Sequence, residues 1–336
     1  MEFTALPGGD LVEVNFYSRK RSANHKWQSK RRASRSKFHF NCLLRPECLE
    51  ERLVLAAVTV GNDSDIVNGI VTSITNLINN PGADGISMRE ALEAANNTGG
   101  DDTVNFAARL AGSTINLGGT ELEISDDVTV TGLGTDQLTI DAQDNSRVLF
   151  ISGTATANIS GLTMTGGSAS GSNGGGLLAQ NTTTTLDSIV VKNNTATGHG
   201  GGVFSNGTLT ITNNTISGNT STGRSGGGIY HDLLATGDLT IENSTLSGNS
   251  ANGVGGAIRS TPAFLGHQTI IRHSTLTGND SGSQGGGFST GGGTTTISHS
   301  LFTDNTSPTG SENSRNGGTV ILDDFNLFGD DSVTTT

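Results

Sequence analysis

General bases, nucleophiles and metal ligands act only in company, so the spacing of the titratable residues is the first thing to read. His199 lies in Gly198-His199-Gly200, within a glycine-rich stretch that returns along the chain. Its equivalents in the other copies are Asn173, Ser225, Val254 and Gln284, none of which is a base. His231-Asp232, beside Tyr230, occurs once and reads as a loop dipeptide. His273 and His299 hold one repeat position in successive units, where Asn213 and Asn243 stand earlier. Two imidazoles about 5 Å apart could share a metal ion. No Asp, Glu or Cys completes that ligand set, so a polar ladder is expected instead. The pairs Asp101-Asp102, Asp126-Asp127, Asp323-Asp324 and Asp330-Asp331 lie tens of residues apart. Neighbours in a strand point to opposite faces, so each pair makes a poor dyad and reads as a solvated turn. Glycosidic hydrolysis needs two carboxylates converging on one bond, and no such set is visible. His199, His231, Asp232, His273 and His299 are therefore the candidates, with no catalytic, metal-binding or cofactor-binding role assigned to any residue.

The scaffold that would position these side chains is unusual in composition. The chain has 336 residues, of which 49 are glycine, 5 proline, 12 Phe, 2 Tyr and 1 Trp. Aromatic-poor chains rich in Gly, Thr, Asn and Ser are often disordered. Here 32% of the residues are apolar and regularly spaced, which favours a core built from many small layers. Charge is divided: residues 1–60 hold 11 basic and 6 acidic residues, leaving 8 basic and 25 acidic residues in the body, a balance of −17. Such a body repels phosphate backbones, so nucleic acid is not expected as a partner. No apolar run reaches the roughly 18 residues of a membrane-spanning helix, and the body contains no cysteine.

Residues 1–57 read as an export segment. A basic run over 18–38 is followed by PECLEERLVLAAV (46–58), with small residues at Ala56-Ala57. A disordered basic tail for polyanions is the alternative. LEERLVLAA resembles an N-terminal element of planctomycete surface proteins, which implies export and absence from the mature chain. Residues 58–110 read as a cap with one helix. Ser87-Met88-Arg89-Glu90 is a capping box, Met88, Ala91, Leu92 and Ala95 share a face, and Asn96, Asn97 and Gly99-Gly100 end the helix. Ile86-Ser87-Met88-Arg89-Glu90-Ala91-Leu92, with Ala95-Asn96 and Asp101–Phe106, resembles the CSLREA-type region of secreted bacterial β-helix proteins. Ile86 replaces the cysteine of that motif. The resemblance implies a lid on the first coil of a β-helix.

From residue 111 to 336 the chain repeats. LTITNNTISGN (209–219), LTIENSTLSGN (239–249), TIIRHSTLTGN (269–279) and TTISHSLFTDN (295–305) align, with LDSIVVKNN (186–194) a looser copy. Glycine clusters at 174–176, 200–202, 226–228, 255–256 and 285–287 supply a second register, closed by Leu177, Val203, Ile229, Ile258 and Phe288. Period-2 alternation in a unit of roughly 26 to 30 residues predicts three short strands and three turns per coil. That is an all-β, right-handed parallel β-helix of about eight coils. Ile211, Ile241, Ile271 and Ile297 should stack as one inward column, and Ile216, Leu246, Leu276 and Phe302 as another. Glycines should turn one corner, and Asn219, Asn249, Asn279 and Asn305 should stack at another in left-handed backbone. The units are too short for propeller blades and lack the calcium-roll nonapeptide. Outward positions Thr212, Glu242, Arg272 and Ser298 break the regularity that an ice-binding face requires.

The glycine clusters with ISGN, LSGN, LTGN and FTDN are similar to the repeats of chlamydial polymorphic membrane proteins, although only Phe302-Thr303-Asp304-Asn305 matches FxxN by letter. That resemblance implies surface exposure and adhesion. DDFNLFGDDSVTTT (323–336) looks like the stretch that closes the helix in CSLREA-type proteins, ahead of an anchoring region. An uncapped last coil is an open sheet edge, so further coils, an anchor or a partner is expected there. Gly198-His199-Gly200 also matches a polygalacturonase signature by letter, without that family's companion elements. The expected function is a secreted or cell-surface, non-catalytic protein in adhesion, in glycan or matrix binding, or in a structural surface role. Its expected partners are extracellular polysaccharides or other surface components. A polysaccharide lyase or glycoside hydrolase on the same fold is the alternative.

Overall fold

The computed structural model describes residues 55–233, 237–262, 266–308, 312–329 and 334–335. The basic run and nearly all of residues 1–57, read above as an export segment, lie outside these residues. The remainder is an all-β parallel solenoid of about eight turns, with one ten-stranded sheet, two nine-stranded sheets and a short five-stranded one. The coil that ends in the strand of Tyr230 shows the plan. Thr208–Thr212 belongs to the ten-stranded sheet (sheet 1), Thr215–Ser217 to one nine-stranded sheet (sheet 2), Thr220–Ser221 to the short sheet and Ile229–Leu233 to the other nine-stranded sheet (sheet 3).

Alternation puts one side of each strand inside, and in-register parallel pairing turns that pattern into columns. Ile211, Ile241, Ile271 and Ile297 pair in sequence along sheet 1, continuing back through Leu186, Ile159, Val130, Val104 and Val58. Ile216, Leu246, Leu276 and Phe302 do the same in sheet 2, and all eight of the expected column residues are 0% exposed. Burying each such side chain contributes roughly 1.5–3 kcal/mol, but only with a neighbouring coil above and below.

The corners follow a finer rule than the sequence suggests. Asn219, Asn249, Asn279 and Asn305 do form a buried ladder, each side-chain N–H donating to the next Oδ1 at 2.8–2.9 Å. They are not the left-handed residues, however. The residue before each one is: Gly218 (φ 62°), Gly248 (61°), Gly278 (62°) and Asp304 (57°). The other corner repeats this logic. Asn213, Asn243, His273 and His299 take φ between 49° and 59°. The buried residues after them, Asn214, Ser244, Ser274 and Ser300, accept backbone N–H bonds from the preceding coil or donate them to the next. One residue turns the chain and the next satisfies the turn's polar groups, as burial demands.

At the N-terminal end the capping box forms: the Ser87 hydroxyl accepts the Glu90 N–H, and the Glu90 carboxylate accepts the Ser87 N–H. The helix Met88–Asn96 buries Met88, Ala91, Leu92 and Ala95 as expected. Its buried Glu90 also accepts the N–H groups of Asn68 and Gly69, both at 2.7 Å. Arg89 pairs with Asp65 at 2.8 Å and donates to the carbonyls of Thr120 and Glu121. Ile86, standing where the motif has cysteine, packs against the core. Two features depart from expectation. A second helix, Ile74–Asn79, is present; with only Ile74 and Leu77 buried it carries too little periodicity to be read in advance. Ala57–Val60 and Asp102–Phe106 are the first two strands of sheet 1, so residues 58–110 are woven into the solenoid.

Candidate functional site

Sheets 1 and 3 treat their outer faces differently. In sheet 1 the strand Thr208–Thr212 buries its inward residues and leaves the outward ones partly accessible. In sheet 3 the strands Leu177–Ala179 and Val203–Ser205 are buried at every position. The outward column there runs Phe150, Leu178, Phe204, Tyr230, Arg259, Ser289. Leu178 and Phe204 point away from the core yet are only 6% and 5% exposed. The glycine corner folds back over the start of these strands. A Cβ on Gly226 (φ 72°) would lie 2.5 Å from the Ile229 carbonyl and 2.8 Å from the Tyr230 Cβ. Only glycine allows so close an approach.

This cover brings His199 onto the strip. Its ring centroid lies 4.0 Å from that of Tyr230, and Tyr230 stacks on Phe204 at 5.5 Å with an interplanar angle of 2°. Nδ1 of His199 accepts the Ser225 N–H at 3.4 Å, which leaves the proton on Nε2. Burial, reinforced by the nearby guanidiniums of Arg224 and Arg259, pulls this imidazole down to about 4. It is a neutral donor at ordinary pH. His199 and Arg224 also border an open depression of ≈ 510 Å³, which shares Ser172 with a second one of ≈ 380 Å³ beside Arg147 and Glu121. Arg147 is fully engaged: it pairs with Glu121, donates to the Gly174 carbonyl at 2.8 Å and lies 5.9 Å from the Phe150 ring centre.

Arg259 follows Tyr230 in the column and donates to the Ser289 hydroxyl at 2.7 Å. Burial lowers its affinity for the proton, and the Tyr230 hydroxyl opposes that shift. Burial likewise raises Tyr230 and Asp232 above their ordinary ranges. Thr261 sits between these two, at 3.4 Å from the Tyr230 hydroxyl and 3.5 Å from Asp232.

The loop reading of His231-Asp232 is corrected. Both residues belong to the strand Ile229–Leu233, and alternation separates them. Asp232 lies on the outer strip with Tyr230, whereas His231 is 0% exposed inside the solenoid. Its Nε2 lies 2.8 Å from the Gly207 carbonyl and so carries the proton, while Nδ1 has no partner among the described residues. Burial pulls its imidazole down to about 4. His273 and His299 stack with centroids 5.0 Å apart, as their repeat position predicts, and His299 also meets the exposed Phe325 at 5.7 Å. Asp102 departs from the solvated-turn reading: it is 1% exposed. Burial first, then Asp126 and Asp101, push its carboxyl up to about 6.

The structure thus brings His199 and Asp232 to one strip and leaves His231, His273 and His299 elsewhere. Sequence reasoning passed over Phe204, Arg224 and Arg259. The signal for Phe204 and Arg259 was the position two residues after each glycine cluster's last small residue, where a chain poor in aromatics holds Leu178, Phe204, Tyr230 and Arg259 in succession; Arg224, ahead of its cluster, had no such signal. Fold and site together define a parallel β-solenoid with one covered, aromatic outer face. No protein-family model, curated protein or solved structure matches the chain.

Proposed function

We propose that this is a non-catalytic β-solenoid of the cell surface or extracellular space, of the CSLREA-type class, that holds a glycan along the outer face of sheet 3. One observation carries the reading: an outward column on a rigid sheet keeps Phe204 and Tyr230 stacked, with His199 against them. Tyr230, partly exposed and held in place by the buried Phe204 and by His199, offers a sugar's C–H groups a ring fixed before binding at little entropic cost. Supporting it, Ser87, Arg89 and Glu90 of the CSLREA-like motif all serve architecture, and each tie described above is structural. Asp232 is the carboxylate beside Tyr230, and no second carboxylate perturbs it among the described residues, which is poor ground for paired-acid hydrolysis.

The test is a glycan panel probed with the full chain and with Tyr230→Ala, alongside assays for new reducing ends and unsaturated products. Retention without turnover, lost in the variant, is the expected result. Turnover of any glycan would move the protein to the enzyme alternative, and a chain that retains none would end the reading. Cell fractionation checks the location: recovery from the cytoplasm alone would contradict the surface assignment.

A further inference from the structure

The body of this protein is acidic, yet its aromatic strip is bordered by positive charge. Arg147, Arg89 and Arg272 each have a carboxylate partner. Arg224 and Arg259 have no ion-pair partner among the described residues. Arg224 is exposed at the rim of the depression that His199 lines. Arg259 is partly buried, anchored at one nitrogen by Ser289 and stacked in register next to Tyr230. Holding a guanidinium out of water without a counter-charge is costly, and the fork it presents fits carboxylate and sulfate oxygens in particular. With 25 acidic residues in the body, a counter-ion from within the chain would have been easy to supply. The charge stays open beside the rings instead.

Resting on the glycan-binding reading above, we infer that the sugar held at this strip is anionic: its ring lies on Tyr230 and His199, and its carboxylate or sulfate is taken by Arg259 and Arg224. His199, neutral with its proton on Nε2, supplies a hydrogen-bond donor without adding charge. Thr261, which lies near both the Tyr230 hydroxyl and Asp232, offers with Asp232 hydrogen bonds to the sugar's own hydroxyl groups. The fit is to a single acidic residue of a glycan, since the column is buried on either side of Tyr230 and Arg259, at Phe204 and at Ser289.

Calorimetric titration of the full chain with three probes tests this: an oligogalacturonate, the same oligomer as its neutral methyl ester, and a sulfated galactan oligosaccharide, which carries sulfate but no carboxylate. At least one anionic probe should bind roughly tenfold or more tightly than the ester, and which one does so identifies carboxylate or sulfate as the anion. Arg259→Gln and Arg224→Gln should each remove most of that preference. Arg224 is exposed, so its variant carries the test should Arg259→Gln fail to fold. Equal binding of ester and acid, or a preference intact in both variants, overturns the inference while leaving glycan binding standing. Failure of every probe, together with an empty glycan panel, removes both.

Discussion

Two outer faces of one solenoid, built from the same coils, have opposite characters. On sheet 1 the outward residues Thr185, Thr210, Thr240, Ile270 and Thr296 are all half accessible, and all but Ile270 are threonines. On sheet 3 the outward residues Leu178 and Phe204 are covered, and Tyr230 and Arg259 follow them. Both faces use parallel strands in register, so strand chemistry does not separate them. The corner does. Sheet 3 is entered through a loop, residues 222–228 ahead of Ile229, whose closing glycines let the backbone fold over its edge, whereas sheet 1 is entered through a short turn, Asn206-Gly207 ahead of Thr208, that leaves its face open. A solenoid can therefore keep a repetitive interior and give one face a shape of its own.

The sharpest way to break this comparison is Phe204→Ala set against Thr210→Ala. Both residues point outward, from consecutive strands of the chain. If the covered face is part of the packed structure, Phe204→Ala should cost about 3 kcal/mol, while Thr210→Ala should stay within about 0.5 kcal/mol. Denaturant unfolding measures both. Equal small effects would show that the cover is loose and the strip is ordinary surface.

The interior of sheet 3 also changes along its length. Its second inward column passes from Ile151 and Ala179 to Ser205, His231, Ser260 and Thr290. His231 makes that stretch acid-sensitive. Its imidazole stays neutral in the folded chain down to about 4 but takes a proton near its ordinary 6.5 when unfolded. The stabilisation is complete above 6.5 and drains away as pH falls towards 4, amounting to about 3 kcal/mol across that window. His199 titrates in the same window, so the quantity to compare is parent minus His231→Gln. That difference should shrink as pH drops from 7 to 4; a constant difference would mean that His231 is not held dry.

The corner ladder predicts a further step down in size. The Asn249 side chain donates to the Ile216 carbonyl and to Asn279, and accepts from the backbone and side chain of Asn219. Asn249→Ala should cost about 2 kcal/mol, because the buried groups it leaves behind lose their partners. Both flanking sheets share this corner, so the loss should be cooperative across the coil. An unchanged denaturation midpoint would remove the ladder from the account.

What was legible in the sequence follows from which forces repeat. Inward columns such as Ile211, Ile241 and Ile271 were readable because every coil imposes the same demand. The Asn249 ladder was readable for the same reason, and so was the Ser87–Glu90 box, a local signal. The left-handed residue was misplaced by one because glycine and asparagine both tolerate that conformation, and only the backbone shows which one turns. His231-Asp232 reads as a loop because it interrupts the repeat; a polar residue inside and an acid outside do not look like a strand. Arg259 was missed because its neighbours in the column are Tyr230 and Ser289, so no repetition marked it. A site made of exceptions to a repeat is hidden from any search for that repeat.

The smallest effect belongs to the open face. Arg272 and Glu242 pair across neighbouring coils of sheet 1 at 2.7 Å, and the Arg272 side chain is 44% exposed. Water and salt screen such a pair, and holding two long side chains costs entropy, so Arg272→Ala should lose under about 1 kcal/mol and less at high salt. The contrast with Arg259 is one of purpose: Arg272 has its counter-ion and little to lose, whereas Arg259 has none among the described residues and, by the inference above, takes one from a ligand. Arg259→Gln should therefore leave stability unchanged or improved, since it relieves a half-buried charge, while binding of the anionic oligosaccharide falls. A variant that loses stability in step with binding would make Arg259 a structural residue, and the two faces would differ in packing alone.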